Sequence, residues 1–374
     1  MFTFKEISEN NIDFELASIG FDLAYLQHIK QKVSKNNIKI FGLSSAQANI
    51  LKQTALSLGT DCAVNRDVIT GKAESSNAIL FATDSQLEKI ADKLSSQPFS
   101  LKILAKELLD YLNFTPQKTK IVGILNLSEN SFSGDFVSDT ASALSKIHQL
   151  FNEGADIVDI GAESTKPYSA PVHPDAQLDK LLPLLKEIKS DTSLNNKLFS
   201  IDTRSALVAE KCINLLQNNI IINDVSGFDF DTDMPKVISK FNTPIVIQHS
   251  KGNPLNMQDN PHYDNVIEEI FFDLKSKIDF AHSLGITNII IDMGIGFGKT
   301  KEDNLQIIHR VKEFRSLNCP IMLGISRKSF LDADSNEERD LFTLALNSLA
   351  FQNNIDYIRV HNVKIHKKLS SFFN

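Results

Sequence analysis

Short runs of branched aliphatic residues recur along the last two thirds of the chain. Each is followed by a longer stretch in which apolar positions return every three or four residues. The runs are KIVGILN, DIVDIG, LFSIDT, NIIINDV, PIVIQH, NIIIDMG, PIMLGIS and DYIRV. They are continuous rather than alternating, as in parallel strands covered on both faces. The stretches between, such as TASALSKIHQLFNEG and NVIEEIFFDLKSKIDFAHSLG, carry the helical period. Eight strand–helix pairs predict an α/β fold, a (β/α)8 TIM barrel over residues 119–374. A doubly wound open sheet is the alternative, but no GxGxxG opens a helix after the first strand to favour it.

Residues 1–115 follow a different pattern. KIFGL and AILFAT predict short buried strands, and AQANILKQTALSLG and SQLEKIADKLSS predict helices with Ser45 and Asp84 as N-terminal caps. The expectation is a small α/β N-terminal domain that ends near YLNFTPQKTK, where a helical stretch meets Thr115-Pro116 and a basic, polar link. It carries no glycine-rich phosphate loop, and its role is undefined by sequence.

The charge balance narrows the partners. Thirty-nine basic residues against 46 acidic ones give −7, without a basic stripe, so nucleic acid is not expected. The start MFTFKEISENN has acidic residues where a signal peptide needs a basic head and an apolar core. No apolar run approaches the ~20 residues of a membrane span, so no membrane partner is expected. Cys62, Cys212 and Cys319 are scattered without metal spacing, which predicts buried, reduced thiols and a cytoplasmic protein.

In such a barrel, chemistry gathers where strands end. The eight runs end in or lead into Asn126; Glu163, Ser164 and Thr165; Asp202; Asn223 and Asp224; Gln248 and His249; Asp292; Ser326, Arg327 and Lys328; and Arg359, His361 and Asn362. Buried carboxylates need donors, or they take up protons. Two carboxylates and an amide (Asp202, Asp292, Asn223) suit the ring N–H groups of a flat heterocycle. Arg359, His361 and Thr165 suit phosphate oxygens, and Asn126 suits a hard cation. Asp224, Ser226 and His249 are read as structural, and KIHKK near the C-terminus as a solvated helix face. The stretch IIIDMGIGFGKT lacks the G-x-x-x-x-G-K-[ST] spacing of a phosphate loop. Its glycines predict a tight turn, and Lys299 is expected in a loop or at the surface.

With those positions in view, residues 119–364 resemble the dihydropteroate synthases. The motifs are GILNLSENSFS, DIGAESTKP, SIDT, INDVSG, QHSKGNPLNMQ, DMGIGFGKT, GISRKSF and RVHNV, one per strand and in the family's order. The resemblance implies condensation of 6-hydroxymethyl-7,8-dihydropterin diphosphate with 4-aminobenzoate, releasing diphosphate, with Mg2+ bound, in folate synthesis. By the same resemblance Asn126 is the metal-linked residue and Thr165 a diphosphate contact. Asp202, Asn223, Asp292 and Lys328 hold the pterin. Arg359 and His361 meet the diphosphate, with Arg359 also against the pterin face, and Ser329 and Phe132 lie near the aminobenzoate. A homodimer through the late barrel helices is implied as well.

The chain departs from that family in its first loop. TPDSFSDGG is replaced by Ser128-Glu129-Asn130-Ser131-Phe132-Ser133-Gly134-Asp135-Phe136, so the loop acid shifts and Asp135 becomes the candidate catalytic carboxylate. Ala162 replaces a glycine, Lys166 an arginine, Met293 a proline and Asn362 an aspartate. Two other readings share the barrel: a pterin-binding paralogue with weak or no synthase activity, and a methyltetrahydrofolate-dependent methyltransferase.

Overall fold

A computed structural model describes residues 31, 35–127, 139–163, 171–252 and 257–373. The chain divides into two compact units, Met1–Thr115 and Pro116–Asn374. In the first, β1 (Asn36–Ser44), β2 (Asp61–Val64) and β3 (Ser75–Ala82) form an antiparallel sheet in the order β1-β3-β2. β3 alternates, burying Ser76, Ala78, Leu80 and Ala82 and exposing the residues between. The sheet is thus covered on one face, where continuous burial was expected, and the short β2 was not anticipated. A bulge lies between Ile40 and Leu43, where Gly42 takes a positive φ.

Among the described residues, this unit carries the helices α1 (Ser45–Ser57), α2 (Asp84–Ser95) and α3 (Leu101–Asn113). Their apolar faces form one cluster with the sheet, centred on Leu51, Leu80, Leu87, Ile90 and Leu94. The caps of α1 and α2 are Ser44 and Thr83, one residue before the expected Ser45 and Asp84. Position is decided three residues on: Gln47 and Gln86 return a hydrogen bond to the cap backbone, closing a capping box at each helix.

The second unit is a closed barrel of eight parallel strands: β4 (Lys120–Asn126), β5 (Ile157–Gly161), β6 (Leu198–Asp202), β7 (Ile220–Asp224), β8 (Ile245–Gln248), β9 (Ile289–Asp292), β10 (Ile321–Leu323) and β11 (Tyr357–Val360). β11 pairs with β4 to close the ring, which excludes the open sheet. Between them run α4 (Thr140–Glu153), α5 (Pro174–Ser190), α6 (Ala206–Leu216), α7 (Met234–Phe241), α8 (Val266–Ser283), α9 (Lys301–His309) and α10 (Asn336–Gln352), with α11 (Val363–Ser370) last. Outward-facing strand residues such as Val158, Ile160, Phe199 and Ile201 pack with these helices. Inside, every strand gives one side chain to an apolar floor: Val122, Ile157, Leu198, Ile221, Val246, Ile290, Met322 and Tyr357.

At the amino-terminal ends of the strands, Asp356 is fully buried and accepts from the backbone N–H groups of Gln117 and Ile321 and from Arg315. One carboxylate thereby joins the entry of β4 to the bottoms of β10 and β11. No helix among the described residues is long and apolar enough to cross a membrane.

Candidate active site

Side chains along a strand face inward at every second position. Counting two residues up from the apolar floor gives Ile124, Asp159, Ser200, Asn223, Gln248, Asp292, Gly324 and Arg359. The barrel interior therefore changes from wholly apolar to largely polar within one step of the pleat. Two residues higher come Asn126, Gly161, Asp202, Ser326 and His361 at the rim. Asp202, Asn223, Asp292 and Arg359, expected from strand ends, meet in these two tiers.

Arg359 lies at the centre. Its Nε donates to Asp159 Oδ2 at 2.7 Å, and its Nη2 reaches Asp202 Oδ2 at 2.8 Å. Asn223 Nδ2 leans on the same Asp159 oxygen at 3.4 Å. Asp292 Oδ1 accepts the Gly294 N–H at 2.7 Å, and its Oδ2 faces the space beside Gly324. Burial pushes the carboxyl groups of both Asp202 and Asp292 up, Asp202 to about 7 in spite of Arg359 beside it. Lys328 feels the opposite pull: burial, then Arg359, lowers its ammonium to about 7. Its Nζ sits 4.1 Å from the centroid of the Phe297 ring.

The end of β10 sorts its three polar residues. Arg327 adopts φ +57 and turns outward, where its guanidinium pairs with Asp340 of α10 at 2.8 and 2.9 Å. That turn sends Lys328 inward. Ser326 Oγ accepts the His361 N–H at 3.1 Å and lies 3.0 Å from His361 Nδ1. With the Ser326 hydroxyl proton turned to Nδ1, the imidazole proton lies on Nε2. Burial and the cations Arg327, Arg359 and Lys328 hold that ring neutral. His361 is thus neutral, and in that tautomer its Nε2–H is a donor.

Ser329 begins a short turn and lines a cavity of about 300 Å3 with Gln258, Gly296, Thr300 and Phe330. The side chain of Asn126 makes no hydrogen bond to another described residue, and a Cβ on Gly161 would lie 3.8 Å from its Oδ1. Phe132 and Asp135, between β4 and α4, and Thr165, between β5 and α5, fall outside the described residues.

Lys299 lies in the loop after β9, as expected, but not at the surface. It is 3% exposed, and its Nζ donates to the carbonyl oxygens of Gly294 and Phe297 at 2.9 Å. Glycines 294, 296 and 298 all take positive φ, folding the loop back so that its carbonyls converge on that ammonium. Burial lowers Lys299 to about 7. His366 is also no part of a solvated face: it is buried against Asn347 of α10 at 3.0 Å, while Lys364, Lys367 and Lys368 are exposed. His249 is held between Asp273 (2.7 Å) and the Tyr263 hydroxyl (3.2 Å), and Asp224 accepts from Ser226 and Phe228 within its turn.

Reading only strand ends missed three participants. Asp159 sits mid-strand; a lone charge inside DIVDIG, two residues above the floor, was the available signal. Phe297 carried no signal in the sequence. Arg204 forms a buried pair with Glu163, its guanidinium 4.1 Å from the centroid of Phe230, and Glu163 accepts the Val172 N–H at 3.2 Å. Glu163 is therefore joined both to Val172 and to Arg204, just past the end of β6.

The family profile described as "Pterin binding enzyme" matches residues 122–361. A Helicobacter pylori protein named bifunctional dihydropteroate synthase/dihydropteroate reductase is 33% identical over 99% of this chain and 97% of its own length. A Clostridium beijerinckii dihydropteroate synthase is 39% identical over 66% of this chain and 90% of its own. The crystal structure of the Anaplasma phagocytophilum dihydropteroate synthase with bound 6-hydroxymethylpterin-monophosphate superimposes with a TM-score of 0.61. It is 33% identical and covers 69% of this chain and all of its own (100%).

Proposed function

This chain belongs to the pterin-binding enzyme family, matching its dihydropteroate synthases across the barrel, and on that premise we propose how its residues carry out the synthase reaction. The reaction joins 6-hydroxymethyl-7,8-dihydropterin diphosphate to 4-aminobenzoate, giving 7,8-dihydropteroate and diphosphate in folate synthesis. The observation that carries the reading is the polar tier above the apolar floor, where Asp292, Asn223 and Asp202 present acceptors to a flat ring beside Arg359 and Lys328.

The bond between the pterin methylene carbon and the diphosphate oxygen breaks, its electron pair leaving with the diphosphate. The amine nitrogen of 4-aminobenzoate forms the new C–N bond and loses a proton. Fixed donors aimed at the leaving oxygens supply the largest stabilisation in such a step. Arg359 and the neutral Nε2–H of His361 are those donors here, joined by Thr165. Lys328 covers the ring's edge, Ser329 and Phe132 receive the aminobenzoate, and Asp135 is the candidate acceptor for the amine proton.

Mg2+ fits the residues present. The Asn126 amide oxygen, beside Asp202 and without a partner among the described residues, is the sparse protein contribution expected of a cation whose remaining ligands are phosphate and water oxygens. Asn126 would hold it, and bound there it would neutralise charge on the departing diphosphate. We also propose a homodimer through the late barrel helices, supported by exposed Phe272 and Phe280 on α8 and Leu341 and Phe342 on α10. A reducing cytoplasm suits the three free, buried cysteines.

A second activity is favoured by the length of one match. The Helicobacter pylori relative aligns with the first unit as well as the barrel, and its name adds dihydropteroate reductase. Such a step delivers hydride to C6 and a proton to N5 of the dihydropterin ring, from a reduced nicotinamide or flavin.

The deciding assay is diphosphate release dependent on 4-aminobenzoate, followed by chromatography of the pteroate with and without a reduced nicotinamide and flavin. Dihydropteroate is expected in both, and tetrahydropteroate only with a reductant. Pterin binding without release would instead identify a binding paralogue, and methyl transfer from methyltetrahydrofolate would identify a methyltransferase. Light scattering at two protein concentrations tests the dimer.

A further inference from the structure

Asp159 is the one carboxylate in the polar tier to which neither the resemblance nor the proposed reaction gives a task. It is 1% exposed, on a strand whose other residues are aliphatic or glycine. An isolated charge at that depth is costly unless it is paired. Its partner is Arg359, which gives Asp159 Oδ2 both its Nε (2.7 Å) and its Nη2 (2.6 Å). The same Nη2 reaches Asp202 Oδ2 on the neighbouring strand at 2.8 Å. Two carboxylates therefore occupy one edge of the guanidinium, and Nη1 makes no hydrogen bond to a described residue.

We propose that Asp159 is a positioning residue: it clamps Arg359 by the Nε–Nη2 edge, so that the Nη1 edge is presented to the diphosphate end of the substrate. This rests on the proposed reading in which Arg359 meets the diphosphate. A guanidinium gripped at Nε cannot swivel about its last torsion. Its charge is in place before the leaving group departs, with no reorganisation during the step. Asp202 alone cannot do this, because it holds only the terminal Nη2.

Asp159→Asn is a suitable variant because the pocket can take an amide. Ser200, in register with Asp159 on β6, has a buried Oγ without a hydrogen-bond partner among the described residues, and the same holds for Asp159 Oδ1. The new NH2 group has an acceptor there, and the remaining oxygen can still accept from Nε, but without charge.

The test is a double-mutant cycle of Asp159→Asn and Arg359→Lys, read by steady-state kinetics and by calorimetry with unphosphorylated 6-hydroxymethylpterin. Asp159→Asn is expected to lower kcat roughly tenfold or more while affinity for the phosphate-free pterin stays within about threefold. The double variant is expected to be no slower than Arg359→Lys alone, within about twofold, since Asp159 acts through the arginine. Losses that multiply, an unchanged kcat, or an equal loss of phosphate-free pterin binding would each overturn the assignment.

If Asp159→Asn does not fold, the unaltered protein with 15N-arginine decides. The Arg359 Nε–H resonance, assigned by its absence in Arg359→Lys, should exchange slowly with solvent, and rapid exchange would overturn the clamp. Absence of turnover in the unaltered enzyme would remove the synthase reading instead, with the resonance still reporting on Asp159.

Discussion

Asp202 and Lys328 show how position sets chemistry. Asp202 is buried and Lys328 half-buried, and loss of solvation moves each toward neutrality, the acid up and the base down, to about 7 in both cases. A carboxylate that accepts ring N–H groups contributes most when ionised. Asp202→Ala is expected to weaken pterin binding by ~1.5–3 kcal/mol, the cost of losing a charged acceptor; unchanged affinity in calorimetry would exclude it from the pocket. Lys328 supplies the basic limb of the pH dependence. Its ammonium is charged below its lowered value and neutral above it, while Asp202 is ionised only above its raised one. Therefore kcat/KM should pass through a maximum near pH 7 and fall above it as Lys328 loses its proton. Bound diphosphate favours the charged form, so the limb in kcat should lie at higher pH. Lys328→Arg should remove the limb from kcat/KM, whatever it does to the rate, and persistence of the limb would assign it to another group.

At the scale of elements, the loop after β9 is the most constrained piece of the barrel rim. Gly294 takes φ +67, and a Cβ there would meet the His249 carbonyl oxygen at 1.9 Å, a backbone atom that cannot swing away. Gly294→Ala should therefore cost more than the ~1 kcal/mol of a left-handed alanine in open space. Gly285, at φ +78 with nothing within 4 Å, is the control for that smaller cost. Thermal melts of the two variants give the comparison, and equal melting points would mean that the loop relaxes freely. The strands themselves were plain in the sequence, because eight branched aliphatic runs admit little else. The caps of α1 and α2 were misplaced by one residue, since Ser44-Ser45 and Thr83-Asp84 each offer two competent side chains. Only the return bond from Gln47 or Gln86 separates them.

At the scale of the whole molecule, the two units have separate hydrophobic cores that share no residue. A core of its own is the physical basis of independent folding. A fragment of residues 116–374 is expected to stay folded and to keep pterin affinity within about threefold, because every polar-tier residue lies within it. Calorimetry against the full chain checks this, and an aggregated or non-binding fragment would show that the barrel depends on the first unit. Loss of any tetrahydropteroate formation in the same fragment would place the proposed reductive step with residues 1–115.

The sequence by itself determined the barrel, since period and composition dictate strands buried on both faces and the helices that cover them. It also determined which strand ends carry acceptors and donors, because those residues interrupt apolar runs. The tertiary structure decided which of them meet. Asp159 and Arg359 are 200 residues apart and touch only when β11 closes on β4. Arg327 and Lys328 are adjacent, yet one left-handed residue sends the first to α10 and the second to the site. Lys299 read as a loop or surface lysine, and in the loop three glycine turns fold carbonyl oxygens around it. A sequence pattern reports burial and period, which are local, whereas pairing, tautomer and charge depend on neighbours that only the closed barrel supplies.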